Sequence, residues 1–286
     1  MKRSTFLFLV LILSFSMSLW TSCSDDDGGK DDPTPPEQPS DSTDVTVVKD
    51  TTWLITKFNI GTDDFNGVQE VNLTLDNTTK KISKITSAYV DSPEDVTTYN
   101  VNYADGKITV ACEGGDYTDQ IIYTLNDKGF VTEADGGENV GVFTFSYNDQ
   151  GLLSEINMEG EPFFTVEYDD NKNWKGFSLG EDMTDAVVKA SSLKNACYNM
   201  DFNILLLSQQ MEMDIFSVAA YLGLYPSSPN VIAGFDVMGI EVEVHSEMAT
   251  DGSIESLVAD AESEGMEFNT ITILSSEMQV TDREQR

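Results

Sequence analysis

The chain offers few groups able to do covalent chemistry. His245 is its single histidine, so a serine triad, a two-histidine metal centre or histidine-based phosphoryl transfer has at most one candidate member. It stands in an alternating stretch, Val242-Glu243-Val244-His245, which favours a surface or packed role. Asp169-Asp170-Asn171-Lys172-Asn173 has the alternating oxygen ligands that open a calcium loop. Yet Trp174 stands where that loop needs glycine, and Gly180 where it needs a bidentate acid. The segment reads better as a long turn. Asp and Glu number 50; they offer many carboxylate pairs of the kind that hydrolyse glycosides, and for that reason no pair stands out. No Gly-rich phosphate-cradling loop is present. Cys112 and Cys197 lack Cys-x-x-Cys spacing, which disfavours redox or zinc chemistry. In an oxidising compartment they are a possible disulfide; isolated buried thiols are the alternative. The reading is of a chain without catalytic residues, metal site or cofactor.

The N-terminus carries an address. Lys2 and Arg3 precede an apolar run from Phe6 to Trp20, broken by Ser14, Ser16 and Ser18. That run falls short of the roughly 20 apolar residues of a spanning helix and reads as a signal peptide over residues 1–22. Thr21-Ser22-Cys23, followed by Ser24-Asp25-Asp26-Asp27, resembles the lipobox of bacterial lipoproteins, although Trp20 holds the place of the usual leucine and Leu19 lies one further back. The resemblance implies lipid (palmitate) attachment at Cys23, with the bilayer as partner and an outer-membrane anchor. The acidic run resembles the export signal of surface-exposed lipoproteins in the Bacteroidetes. A solvated tether cluster is the alternative, so cell surface and periplasm both stay open.

Residues 23–44 are rich in Asp, Ser, Thr and Pro and nearly devoid of apolar side chains, the composition of a disordered acidic spacer. It reaches about 60 Å at ~3 Å per residue. The chain carries 16 Lys and Arg against 50 acids, a net charge of −34. Loss of the first 22 residues removes two cations and no acid, leaving −36. Such a charge opposes nucleic acid or an anionic lipid surface as partner.

The elements that must hold everything else come from a repeat. Tyr103-Ala104-Asp105-Gly106, Leu125-Asn126-Asp127-Lys128-Gly129-Phe130, Tyr147-Asn148-Asp149-Gln150-Gly151-Leu152 and Tyr168-Asp169-Asp170-Asn171-Lys172-Asn173-Trp174 recur at 22, 22 and 21 residues. Each sets an Asn/Asp/Gly turn between apolar residues, the requirement of a tight hairpin. The flanks alternate: Tyr99, Val101 and Tyr103; Ile108, Val110 and Cys112; Ile121, Tyr123 and Leu125; Phe143, Phe145 and Tyr147; Phe164, Val166 and Tyr168. Period two with β-branched and aromatic residues marks half-buried strands. Looser copies lie at Val71–Leu75 with Ile82–Ile85, at Val242–His245 with Ile254–Val258, and at Ile271–Leu274. The expectation is a mainly β domain over 45–276, an antiparallel meander of hairpins forming a curved sheet or barrel-like domain, with a frayed polar tail at 277–286. Met211, Ile215, Val218, Ala219 and Leu222 have helical spacing before Gly223, which predicts a helix near 209–223 that packs on the sheet. Ile204 to Leu207 fits a strand or a helix equally.

The lipobox, the Tyr-x-Asp-x-Gly-type turns at Tyr103, Tyr147 and Tyr168, and the break from Leu193-Lys194-Asn195 to Ser227-Ser228-Pro229-Asn230 together resemble a family of Bacteroidales lipoproteins. These contain a domain of unknown function with a porin-like fold. The resemblance covers about Thr51 to Leu274 and implies an antiparallel, barrel-like sheet without known activity. A spanning barrel needs an apolar outward band and a polar lumen. The alternate strand face carries Asn100, Asn102, Thr109, Gln120 and Thr124, so one face could be a lumen, whereas an anchor and tether favour a domain outside the bilayer. The functional expectation is a non-enzymatic lipoprotein that binds an envelope component, a glycan or a protein. The rival readings are a carboxylate-dependent hydrolase and a structural accessory of an outer-membrane complex.

Overall fold

The computed structural model describes residues 46–285, except 63–66, 115–118, 180–183, 198, 209–213 and 262–265. Twelve strands come first: β1 (Thr46–Thr62), β2 (Gly67–Leu75), β3 (Ile82–Tyr89), β4 (Ser92–Ala104), β5 (Lys107–Glu113), β6 (Gln120–Leu125), β7 (Val131–Asp135), β8 (Val142–Tyr147), β9 (Leu153–Met158), β10 (Glu161–Tyr168), β11 (Trp174–Leu179) and β12 (Thr184–Lys189). Two short helices follow, α1 (Phe202–Ser208) and α2 (Asp214–Tyr221), and then β13 (Gly234–Val237), β14 (Ile240–Met248), β15 (Ile254–Ala261) and β16 (Met266–Gln285). Every strand pairs antiparallel with its neighbour in sequence, and β1 pairs with β16 to close the ring. Between a curved sheet and a barrel, the outcome is a closed 16-stranded barrel.

Register puts the alternating residues on one face. Tyr103 lies opposite Ile108, Val101 opposite Val110, and Tyr99 opposite Cys112; Ile108 and Val110 then face Tyr123 and Ile121. A one-residue slip would turn this whole set outward, so burial of one face fixes the register. Tyr99, Ile108, Val110, Ile121, Tyr123, Phe143, Phe145, Phe164, Val166, Phe177, Phe235, Val242, Leu257 and Ile271 are all buried. Between them on the other face, Asn100, Asn102, Glu133, Thr144, Ser146, Glu167, Lys175, Glu241 and Glu243 are exposed. The apolar face points inward and the polar face is the outer wall, the reverse of a lipid-spanning barrel. Among the described residues, exposed apolar strand positions such as Val96, Val142, Val187 and Leu274 are few beside the polar ones.

A ring of 16 strands encloses more space than wall side chains can fill. The crossover between β12 and β13 fills it. Its helix α2 sets Phe216 against Phe143, Phe145 and Phe163, and Tyr221 against Phe58. The Tyr123 hydroxyl donates to the Ile215 carbonyl at 2.7 Å, and the Val131 amide to the Leu224 carbonyl at 3.1 Å. Asn269 of β16 donates to the Leu206 carbonyl at 2.7 Å. These partners sit on β1 and β16 and, across the ring, on β6, β7, β8 and β10, so the segment occupies the lumen. Helix α1 is buried on every face, Phe202 to Leu207, as a lumen-filling helix must be.

Two expectations need correction. The helix near 209–223 is instead a pair. The undecided run Ile204–Leu207 lies in α1, and α2 spans only Asp214–Tyr221, with Met211 outside the described residues. It ends where Gly223 adopts φ +67: the Gly223 amide bonds to the Ala220 carbonyl at 3.1 Å and Leu224 to Ala219 at 3.0 Å, a Schellman ending. The tail at 277–286 does not stand apart as frayed chain. Residues through Gln285 continue β16 and pair with β1, Glu277 with Leu54 and Gln285 with Thr46, because the start of β1 supplies a ladder that no local pattern announces. This pairing outruns the ring: β2 meets β1 only from Lys57 onward.

Candidate functional site

In an antiparallel meander the turns alternate between the two ends of the barrel. The connections that follow even-numbered strands therefore share one end, and both legs of the lumen segment enter there as well. Three of these turns are copies of one geometry. The Oδ1 atom of Asn126 accepts from the amides of Lys128 and Phe130, each at 3.0 Å. Asn148 does the same for Gln150 and Leu152 at 3.0 Å, and Asp169 for Asn171 and Asn173 at 2.8 and 2.9 Å. The fourth turn residue has positive φ in each copy, filled by Gly129, Gly151 and Lys172 (φ +84, +79 and +68). The carboxylate of Asp169 is thus engaged by its own turn, which supports reading this segment as a turn.

The tyrosine that opens each copy has a structural task that its spacing does not disclose. The hydroxyls of Tyr103, Tyr147 and Tyr168 donate to the carbonyls of Ile82, Val131 and Leu153 respectively. In each case the acceptor is the first residue of the preceding odd strand, so one hairpin is clamped to the turn of the last. Burial pushes Tyr103 up to about 12 and raises Tyr147 and Tyr168 as well, which keeps all three hydroxyls protonated donors. Leu125 holds the same place in the remaining copy and makes no such bond.

Between the turns at 126–130 and 148–152 lies a cleft of about 330 Å³, lined by Asn126, Asp127, Lys128, Phe130, Tyr147, Asn148, Asp149 and Gly151. Its apolar part is a stacked pair, Phe130 on Tyr147, with centroids 6.0 Å apart and rings inclined at 29°. Asp127, Lys128 and Asp149 are exposed on the rim. Lys128 reaches over the second turn: a Cβ on Gly151 would stand 2.9 Å from Nζ. In the sequence Phe130 is no more than the apolar residue after a turn. Its partial exposure beside a second ring depends on how two hairpins pack.

At the same end, the legs of the lumen segment are held by Asp201, which is 3% exposed. Its Oδ1 accepts from the amides of Asn203 and Ile204 at 2.8 and 3.1 Å, capping α1. Its Oδ2 accepts from the amide and hydroxyl of Ser228 and from Asn195 Nδ2 at 2.7, 2.9 and 2.8 Å. Burial raises its pKa, and the bonds from Ser228 and the α1 amides oppose that rise. Asn199 clasps the backbone of Ile55, accepting its amide at 3.0 Å and donating to its carbonyl at 3.1 Å. The Trp53 amide alongside donates to Ala196 at 2.8 Å.

The other residues singled out in the sequence do not assemble. Cys23 lies outside the described residues. The possible Cys112–Cys197 disulfide is not formed: both are free thiols, Cys112 on β5 and Cys197 bridged to Trp53 on β1, strands that are not neighbours. Burial pushes each thiol up to about 12, so neither is a thiolate nucleophile at neutral pH. His245 is exposed on the outer wall, 3.9 Å from Glu243 and 3.5 Å from Asp260. Lys189 pairs with Glu241 and, at 3.5 Å, with Glu243 on that same wall. Among the described residues no group of three His, Cys, Asp or Glu is placed to hold a metal ion, and Asp201 is the one carboxylate in the buried set.

These features define a class: a closed meander barrel with an apolar lumen filled by its own crossover and a polar outer wall. No family model matches the chain, and no curated protein matches it. Among solved structures it is similar to a porin-like protein from Bacteroides uniformis, at 16% identity and a TM-score of 0.54, over 80% of this chain and 98% of that one. It is also similar to a porin-like protein from Bacteroides vulgatus, at 13% identity and a TM-score of 0.45, over 77% of this chain and 97% of the other. The fold is porin-like.

Proposed function

We propose that the chain is a lipid-anchored envelope protein whose barrel neither conducts nor catalyses, and which binds an envelope component, a glycan or a protein through its exposed surface. The observation that carries this reading is the lumen. A conducting barrel keeps a polar, water-filled interior and turns an apolar band to lipid; here Phe216, Leu205, Leu206 and Val218 are buried inside and the outer wall is polar. Cys23 supplies the membrane attachment that the wall does not. Against the hydrolase reading stands Asp201, the buried carboxylate among the described residues, whose oxygens accept five hydrogen bonds from the chain itself and which is 3% exposed.

Two measurements test the proposal. The purified full chain in planar bilayers gives no stable conductance steps; discrete steps would contradict it. Labelling with radioactive palmitate marks the wild-type protein and not Cys23→Ala. Equal labelling of both would remove the anchor from the account.

A further inference from the structure

We infer that the cleft between the turns at 126–130 and 148–152 binds a neutral or amino-substituted pyranose ring of a glycan. The inference rests on the binding role proposed above and names its ligand class and residues. The volume, about 330 Å³, sits at the low end of the roughly 300–1,000 Å³ of small-ligand pockets. The lining divides into two kinds of surface. Phe130 and Tyr147, stacked, offer an aromatic patch already in place, against which the C–H face of a sugar ring loses apolar surface without ordering anything new. Around it stand carboxylates on Asp127 and Asp149, the ammonium of Lys128 and the amides of Asn126 and Asn148, donors and acceptors for ring hydroxyls. The Oδ1 atoms of both asparagines are engaged by their own turns, so these side chains are fixed before a ligand arrives, and preorganisation lowers the ordering cost of binding.

Charge selects among glycans. The rim carries two carboxylates against one ammonium, on a chain with net charge −34. A sulfated or uronic acid polymer would meet like charge at the cleft and across the whole surface. A neutral sugar meets none, and an amino group on the ring would meet Asp127 or Asp149.

The four turn copies also explain why one gap has this character. The first of the three matching turns places Phe130 at its exit, where the second has Leu152 and the third Asn173. Among these three exits only Phe130 is aromatic, and it stacks on the clamp tyrosine of the next hairpin, Tyr147; the ring beside Tyr168, Trp174, comes instead from the strand that follows it. Lys128 Nζ lies over the second turn, 2.9 Å from where a Cβ on Gly151 would stand.

The test is a glycan array followed by calorimetric titration of the full chain, with chitotriose, mannotriose and cellotetraose as neutral probes and heparin as the anionic one. The wild type binds at least one neutral probe and not heparin. Phe130→Ala weakens that binding about tenfold, the order of one aromatic contact. Because Phe130→Ala also unstacks Tyr147, Asp127→Ala and Asp149→Ala on the exposed rim provide variants that keep the fold, each expected to weaken binding severalfold. Binding that all three variants leave unchanged, or a preference for heparin, overturns the cleft assignment and leaves the broader role standing. No binding to any probe overturns the assignment as well. The broader role falls only if affinity capture from the envelope also returns no specific partner.

Discussion

The stretch from Tyr99 to Trp174 and the crossover from Ala190 to Ala233 occupy the same barrel and are built on opposite principles. In the first, each hairpin is specified by its own residues: alternation sets the face, an Asn or Asp makes the turn, and in three of the four copies a tyrosine ties the unit to the one before. In the second, little is local. Two helices of seven and eight residues, too short to be stable alone, hold their shape because the ring surrounds them, because Asp201 ties the two legs of the crossover to each other, and because Asn199, Asn269 and Tyr123 fasten the segment to distant strands. Repetition builds a wall, and single polar clasps fix what the wall contains.

Damage should therefore be mild and local in the wall and severe in the crossover. The largest effect is expected at Phe216, which is fully buried and packs on Phe143, Phe145 and Phe163: Phe216→Ala removes about 3–5 kcal/mol of stability in urea unfolding. Next comes Asp201→Ala, which leaves Ser228 and the first amides of α1 without an acceptor, for a loss of about 2–4 kcal/mol. Asp201→Asn, which keeps one capping oxygen, should recover part of it. In the wall, Tyr147→Phe loses one hydrogen bond and about 1 kcal/mol. A gain is expected in the third turn, where Lys172 occupies the left-handed conformation that Gly129 and Gly151 take in the other two. Lys172→Gly stabilises by about 1 kcal/mol, seen as a raised unfolding midpoint; an unchanged or lowered midpoint would mean that the lysine is not strained there.

The smallest effect is one of pH, and it has opposite signs in turns elsewhere in the wall and in the crossover. Hydrogen bonds from Thr79 hold Asp76 below its usual 3.8, and those from Ser253 do the same for Asp251. Their stabilisation is complete above the unfolded value and is lost as pH falls through the lowered, folded one. Asp201 is shifted upward by burial, so its contribution grows as pH falls through its raised folded pKa toward 3.8. Thermal melts against pH should show Asp76→Asn flattening the loss below 3.8 and Asp201→Asn flattening the gain above it.

The wall was largely legible in the sequence. Tyr99, Val101 and Tyr103 alternate as a strand must, Asn148 and Gly151 name their turn, and Gly223 marks the end of α2. Closure was not legible, because Phe58 meets Ile273 across nearly the whole chain and neither residue carries a mark of its partner. Ile204–Leu207 stayed ambiguous because a short apolar run has no period to read, and what settles it as helix is Asp201 at its head. The polar alternate face could be read as a lumen, and only the crossover inside the barrel makes it the outer wall. The cleft escaped for a related reason: Phe130 and Tyr147 belong to different hairpins, and their stacking follows from how those hairpins lie side by side.

Hydrogen exchange followed by mass spectrometry tests the central claim most directly, since it compares the two regions in one experiment. If the crossover fills the lumen, amides of 203–207 and 216–224 exchange as slowly as those of the strands around them, and far more slowly than the turn amides at 127–129. Exchange of the crossover as fast as the turns, beneath a protected wall, would contradict the account.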